Sequence, residues 1–285
     1  MHNSSNRLSF IHFADDTTLS VVHNDVGQLQ NILNEELTRV NDWLCCNRLS
    51  LNFSKTFYML FSNRTVQNLD IVLRGVKIKK AKNNVVKFLG LLLDNRLNFV
   101  EYVRKLCGKI SRACGVLFKV SEYLPQHCLR MLYGTLVLPH LIYCIEVWGC
   151  ANSTIISRLS RLQDRFVRML GRGNIGCVYR ENKILPFEFL FEYFVLVKFF
   201  QNCVLHRNLY FQKLIDQLRP QHSYSTRFSG GRCLNFPKSR ISKLHSSFLF
   251  KSIHFWNNLP IGLREINSIF SFKRELKKHL LERII

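Results

Sequence analysis

The chain of 285 residues is long enough for one large domain or two ordinary ones, and its 47% apolar content excludes an intrinsically disordered protein. Its 41 Lys and Arg residues outnumber 19 Asp and Glu residues, and the resulting formal net charge of +22 favours nucleic acid over an acidic membrane face as the partner. Its ten cysteines include no Cys-x-x-Cys pair, which argues against a zinc finger. The chain is too long and too rich in core-forming residues for a secreted disulfide framework, so we expect an intracellular protein of the nucleus or cytoplasm.

The first predicted element is a hairpin with two adjacent carboxylates at its tip. Residues 10–14 and 17–22 are rich in strand formers and flank Asp15 and Asp16. Carboxylates brought to one point suit magnesium, and polymerases use two such ions to activate the attacking hydroxyl and stabilise the leaving phosphate. Asp is also a common turn residue, so the pair alone does not distinguish a metal site from an ordinary turn.

The rest of the first 94 residues is predicted to complete a small α+β unit. Apolar residues recur every three or four positions after Asp25, which is the period of an amphipathic helix. The predicted elements are a helix over 26–44 that Asn24 or Asp25 caps, a strand over 57–61, a hairpin of 69–73 and 76–78 around Arg74-Gly75, and a strand over 85–93.

Beyond residue 94 the pattern becomes helical. One apolar stripe runs through residues 99–120, and another runs through 156–170, after Ser153 and before Gly171 and Gly173. Residues 219–240 are rich in Pro, Ser, Gly and Arg and are predicted to form a linker, with short helices at 248–256 and 271–281 after it.

Two apolar stretches, residues 132–148 and 184–205, are candidates for membrane spans. Each contains charged side chains, Glu146 in the first and Glu188, Glu192 and Lys198 in the second. Because a charge in the middle of a bilayer is costly, we predict buried helices and no membrane partner.

Basic residues lie opposite the two apolar stripes. Only Glu101 and Asp164 accompany them, whereas a solvated helix face normally mixes both signs. The forked donors of arginine suit phosphate, so contact with a nucleic-acid backbone is favoured over a merely solvated surface. The predicted contacts are Arg104, Lys105, Lys109, Arg112 and Lys119 on the first helix and Arg158, Arg161, Arg165, Arg168 and Arg172 on the second.

Several motifs, in the right order, resemble the reverse transcriptases of non-LTR (LINE-type, jockey-like) retrotransposons. Phe13-Ala14-Asp15-Asp16-Thr17-Thr18 matches the palm hairpin of that branch, and residues 49–56, with Asn52 three positions before Lys55-Thr56, resemble its next motif. Phe88-Leu89-Gly90 resembles the primer-grip hairpin. Residues 138–149, 255–260 and 272–276 are similar to the post-thumb and tail segments of jockey-like elements.

The resemblance implies a role for each matching residue. Asp15 would coordinate Mg²⁺ and Asp16 would support the metal site, with an RNA template, a DNA primer and deoxynucleoside triphosphates as partners. Lys55 would protonate or neutralise the departing pyrophosphate, although an ordinary surface lysine is an equal alternative. The residues implied to position the primer are Phe13, Phe88, Leu89 and Gly90.

The implied organisation is a partial palm over 1–94, a helical thumb over 95–175 and a mostly helical C-terminal region over 176–285. No acidic residue precedes Asp15, whereas the first metal-binding Asp of the family lies well upstream of the hairpin. The fingers are also expected to be missing from these residues. We therefore expect a fragment of an RNA-directed DNA polymerase that is inactive alone.

Three alternatives stay open from the sequence. The first is a non-catalytic, basic nucleic-acid-binding protein that uses only the helices. The second is an active polymerase completed by another chain that carries the fingers. The third is another reverse-transcriptase branch, such as an intron-encoded maturase, against which the jockey-like tail argues.

Overall fold

The computed structural model describes residues 7–62, 68–205, 208–219, 232–238 and 242–284. The chain divides into two compact units, Met1–Leu97 and Asn98–Ile285. All strands of the described residues fall in the first unit, which has one long helix, and the second unit is helical. The expectation of a mixed helix and strand protein is confirmed at this level.

The first unit begins with the predicted hairpin and helix. Strands β1 (Ser9–Phe13) and β2 (Asp16–Ser20) pair antiparallel, and Phe13 lies opposite Asp16. Helix α1 (Val26–Cys46) follows, and the Asp25 side chain caps it by accepting a hydrogen bond from the backbone N–H of Gln28 at 2.7 Å. Asp25 is therefore the cap of the two that the sequence allowed.

Short strands complete the first unit. They are β3 (Phe57–Tyr58), β4 (Val72–Leu73), β5 (Val76–Lys77), β6 (Lys79–Lys80), β7 (Val85–Phe88) and β8 (Leu91–Asp94). The strand predicted over 57–61 is thus shorter than expected, and the hairpin around Arg74-Gly75 is confirmed. The core beneath α1 consists of Leu29, Leu69, Ile71, Leu73 and Ile78.

The single strand predicted over residues 85–93 is wrong. The chain reverses at Leu89 and Gly90, and β7 pairs antiparallel with β8 so that Phe88 lies opposite Leu91. Both turn residues are left-handed, with φ of 44° at Leu89 and 86° at Gly90. A two-residue turn with positive φ at both positions matches the twist of the flanking strands, so the apolar run folds back on itself.

The second unit contains twelve α-helices among its described residues. They are α2 (Val100–Val120), α3 (Gln126–Leu136), α4 (Leu138–Ile142), α5 (Ile145–Trp148), α6 (Ser153–Val167), α7 (Ile175–Glu181), α8 (Phe187–Phe199), α9 (Leu209–Leu218), α10 (Ser242–His245), α11 (Phe248–Asn257), α12 (Ile261–Arg264) and α13 (Ile269–Glu282). The predicted helices at 99–120, 156–170, 248–256 and 271–281 are confirmed within a few residues. Of the predicted linker, residues 220–231 and 239–240 lie outside the described part of the chain.

Helix α8 lies at the centre of the second unit. Most of its side chains are buried, and the chain continues past it as a wider turn over Phe200–Val204. Its charge at Glu192 is paired with Arg283 at 2.7 Å, which stabilises a carboxylate inside the core. Within the described residues, no helix combines the length and the apolar character needed to cross a membrane. The prediction of a buried helix is confirmed.

Candidate metal hairpin and nucleic-acid groove

The tip of the β1–β2 hairpin presents both predicted carboxylates. Asp15 lies in the turn after Ala14, whose φ is 52°, and Asp16 is the first residue of β2. Both side chains are exposed, as is Phe13 at 61%. Neither carboxylate forms an ion pair within the part of the chain that the structure describes. Exposed, unpaired carboxylate oxygens are suitable ligands for a hard cation such as Mg²⁺.

The hairpin alone supplies two carboxylates. Groups of three or more His, Cys, Asp or Glu side chains placed to hold a metal ion do not occur among the described residues. The donor set therefore fits Mg²⁺ by type, with Asp15 and Asp16 as the residues that would hold it, and a complete site needs more oxygen ligands.

Lys55 lies in a turn that Asn52 organises. The Asn52 side-chain oxygen accepts hydrogen bonds from the backbone N–H groups of Ser54 at 3.1 Å and Lys55 at 3.3 Å. The Asn52 carbonyl accepts another from Thr56 at 3.0 Å. Lys55 is exposed, and no ion pair joins it to Asp15 or Asp16 among the residues described. Asn52 therefore stabilises the turn that carries Lys55 and Thr56, which explains the spacing of the Asn before Lys-Thr. The motif alone did not reveal this role of Asn52.

The predicted primer-positioning segment forms the β7–β8 turn. Phe88 and Leu89 are half-buried, and Gly90 is exposed at the tip. Gly90 provides a left-handed position at low cost, so this turn can present backbone to a ligand.

A groove between α2 and α6 contains residues from both predicted basic faces. The groove has a volume of about 750 Å³ and is lined by Arg104, Cys107, Gly108, Ser111, Arg158, Arg161, Leu162 and Arg165. The Arg158 guanidinium lies near the Cys107 thiol, and the Arg165 guanidinium lies near the Cys114 thiol. Burial raises the pKa of both thiols by more than these positive charges lower it. Since both pairs advance by seven residues, the two helices run in the same direction.

The groove keeps a net positive charge because none of its described lining residues is acidic. Glu101 pairs with the groove residue Arg104 and so offsets one of its four arginines. The Asp164 carboxylate accepts a hydrogen bond from the Tyr179 hydroxyl at 2.7 Å, which holds it toward α7. Arg158, Arg161 and Arg165 have no carboxylate partner in the described ranges. Three guanidinium groups without a carboxylate partner along one helix suit successive phosphates.

A buried amide fixes the position of α6. The Gln163 amide nitrogen donates hydrogen bonds to the Tyr133 hydroxyl at 2.8 Å and to the Leu185 carbonyl at 2.9 Å. Gln163 therefore ties α6 to α3 and to the segment before α8. The role of Gln163 could not be predicted from the sequence, because a polar residue on an apolar face gives no sign of its partners.

The structure does not bring all the predicted basic residues to the groove. On α2, four of them are exposed but lie outside its lining, Lys105, Lys109, Arg112 and Lys119. The expected helical arc reaches Arg168, the C-terminal cap of α6, but its extension to Arg172 is wrong because that residue lies beyond the helix. Their contact with nucleic acid stays a prediction.

Comparisons with known proteins agree with the resemblance. The chain is 28% identical over 165 residues to a probable RNA-directed DNA polymerase from transposon BS of Drosophila melanogaster, a match that covers 55% of this chain and 18% of that protein. It is 23% identical over 215 residues to the probable enzyme from transposon X-element of the same species, covering 74% of this chain and 21% of that protein. The enzyme from mobile element jockey is 24% identical over 162 residues, covering 55% and 17% of the two chains.

These relatives confirm the resemblance to the polymerases of jockey-like elements. The chain spans only about a fifth of the length of these relatives. No family model matches the chain. No solved structure matches it either.

Proposed function

We propose that these 285 residues form part of the RNA-directed DNA polymerase of a non-LTR retrotransposon. The observation that carries the proposal is the Phe13-Ala14-Asp15-Asp16 hairpin, which exposes two adjacent carboxylates at its tip. The polymerase names of the relatives support it. The palm would comprise residues 1–94, the thumb 95–175 and the C-terminal region 176–285, acting in the nucleus or the cytoplasm.

In this proposal each segment handles a different part of the substrates. Asp15 and Asp16 hold the metal, and Mg²⁺, when bound, would activate the primer hydroxyl and stabilise the leaving pyrophosphate. Phe13 lies beneath the primer end, and the turn of Phe88, Leu89 and Gly90 positions the primer backbone. Lys55 supplies a positive charge to the departing pyrophosphate of a deoxynucleoside triphosphate.

The groove between α2 and α6 binds the backbone of the RNA template and DNA primer. Its guanidinium groups at Arg158, Arg161 and Arg165 would each neutralise a phosphate. Lys105, Lys109, Arg112 and Lys119 would extend this contact along the exposed side of α2. Backbone contacts of this kind position a duplex without reading its sequence, as a polymerase that copies any template requires.

The proposal includes a requirement for a further carboxylate. Two-metal chemistry needs several carboxylates at one point, and Asp15 and Asp16 supply two from adjacent positions. We therefore expect these residues to extend a primer only when a second polypeptide supplies the fingers and the upstream palm strand with its Asp.

The test is primer extension by a reconstituted mixture. The 285-residue chain is mixed with a polypeptide carrying the fingers and upstream palm of a jockey-like element, on poly-rA primed with oligo-dT. We expect Mg²⁺-dependent extension, its loss in the Asp15→Asn/Asp16→Asn variant, and its retention in Asp42→Asn, a matched change of an exposed acid on α1. Extension that survives in the Asp15→Asn/Asp16→Asn variant would refute the assignment.

A second candidate function is nucleic-acid binding without catalysis. The observation that favours it is that all residues lining the groove belong to the unit Asn98–Ile285, whereas the hairpin of Asp15 and Asp16 belongs to the other unit. It predicts salt-sensitive duplex binding that the Asp15→Asn/Asp16→Asn variant leaves unchanged, together with no extension by the reconstituted mixture.

A further inference from the structure

A second basic pocket lies between the end of α7 and one face of α13. It is open to solvent and has a volume of about 580 Å³. Its α13 residues recur at helical spacing on the side away from the buried Leu276 and Leu280. The lining residues are Arg180, Lys183, Arg274, Lys277, Lys278, Leu281 and Glu282.

Cations from three elements crowd this pocket. Partial burial lowers the pKa of Lys277, and the nearby charges of Lys183 and of Arg130 on α3 lower it further. Arg274 pairs with its neighbour Glu275 at 2.9 Å. Lys183, Lys277 and Lys278 form no ion pair with a carboxylate in the ranges that the structure describes. The repulsion among these ammonium groups is relieved when an anion binds between them.

Lys183 occupies a backbone position that normally favours glycine. Helix α7 ends in a turn in which the Lys183 N–H donates to the Arg180 carbonyl and the Ile184 N–H donates to the Tyr179 carbonyl, both at 3.0 Å. This hydrogen-bond pattern places Lys183 in the left-handed region, with φ of 53°. A glycine there would be less strained, and the lysine places a positive charge in the pocket lining at that position.

We propose that this pocket binds phosphate groups of a nucleic-acid strand, as a second site besides the α2–α6 groove. The inference rests on the proposed function only for the identity of the polyanion. Several cations around one pocket suit the regularly spaced charges of a phosphate backbone. The single acid in the lining, Glu282, leaves the site with a large positive excess.

The test compares three matched triple variants of the 285-residue chain, each of which removes three positive charges. The pocket variant is Lys183→Gln/Lys277→Gln/Lys278→Gln, and the groove variant is Arg158→Gln/Arg161→Gln/Arg165→Gln. The control is Lys198→Gln/Lys213→Gln/Lys238→Gln, at exposed positions outside both sites. Fluorescence anisotropy gives the Kd for labelled single-stranded RNA and for an RNA–DNA duplex between 50 and 200 mM salt.

We expect the pocket variant to weaken single-strand binding about tenfold or more relative to the control. The salt slope should fall by up to about 2, since each lost phosphate contact removes about 0.7 for a single strand. If the pocket variant matches the control while the groove variant weakens binding, the second site is refuted and the groove stands. If only the pocket variant weakens binding, the groove assignment fails and the second site stands.

Lys183→Gly separates a role in binding from a role in folding. The substitution removes the charge and relieves the left-handed backbone, so the thermal midpoint should stay or rise while the affinity falls. Unchanged affinity for both nucleic acids in Lys183→Gly and in the pocket triple variant would overturn the proposal, and would point to an acidic protein as the occupant.

Discussion

The turn at Leu89 and Gly90 allows a quantitative test of the β7–β8 hairpin. Gly90 has φ of 86°, and a side chain at a left-handed position costs roughly 1–2 kcal/mol. Gly90→Ala should therefore raise the population of the opened hairpin about 5–30-fold. Hydrogen exchange measures this directly, because the amides of Val85–Phe88 and Leu91–Asp94 exchange when the hairpin opens.

Gly115→Ala is the matched control for that substitution. Gly115 lies within α2, and nothing lies within 4 Å of the position that its Cβ would take. The same chemical change should there stabilise the helix by roughly 0.5–1 kcal/mol and slow exchange in α2. Unchanged exchange in the hairpin of Gly90→Ala would refute the two-residue turn, and the single strand over 85–93 would have to be reconsidered.

Two further predictions concern the second unit. Gly149→Ala should lower the free energy of unfolding by about 1–3 kcal/mol, because the new Cβ would overlap the Phe191 ring and lie 2.6 Å from the Ile145 carbonyl oxygen. Urea denaturation measures this change, and an unchanged midpoint would contradict the packing. Burial raises the pKa of Cys203 and of Tyr102 to about 12, from 9.0 and 10.0. Because both groups ionise at lower pH in the unfolded chain than in the folded one, their contribution to stability is complete below about pH 9 and is lost as the pH rises toward 12. The loss is about 1.4 kcal/mol per pH unit for each group that is ionised only in the unfolded chain. Urea midpoints between pH 8 and 11 should fall, and Cys203→Ala should flatten the slope; a slope that Cys203→Ala leaves unchanged would refute the assignment.

Local sequence patterns predicted the elements whose causes are local. The β1–β2 hairpin follows from strand formers on both sides of a turn pair, and α1 and α2 follow from regular apolar spacing. These signals need no knowledge of the rest of the chain. They also predict the exposed tip at which Asp15 and Asp16 lie.

Features that depend on tertiary packing were beyond the sequence. The sequence signalled the β7–β8 turn only through the resemblance of Phe88-Leu89-Gly90 to a hairpin, because leucine rarely adopts positive φ and the flanking strand formers also suit a single strand. The end of α6 at Val167 leaves Arg172 off the helix, although the arginine spacing continues. The second basic pocket joins residues about ninety positions apart, such as Lys183 and Lys277, which only the packing of α7 against α13 reveals.

The central claim is that the hairpin of Asp15 and Asp16 meets the primer end. The most direct measurement is photo-crosslinking in the reconstituted mixture, with a photoreactive nucleotide at the 3′ end of the primer and the crosslinked peptides identified by mass spectrometry. The account predicts crosslinks at Phe13–Asp16 and at Phe88–Gly90. Crosslinks confined to residues 98–285 would contradict it and would favour a protein that binds nucleic acid through its basic helices alone.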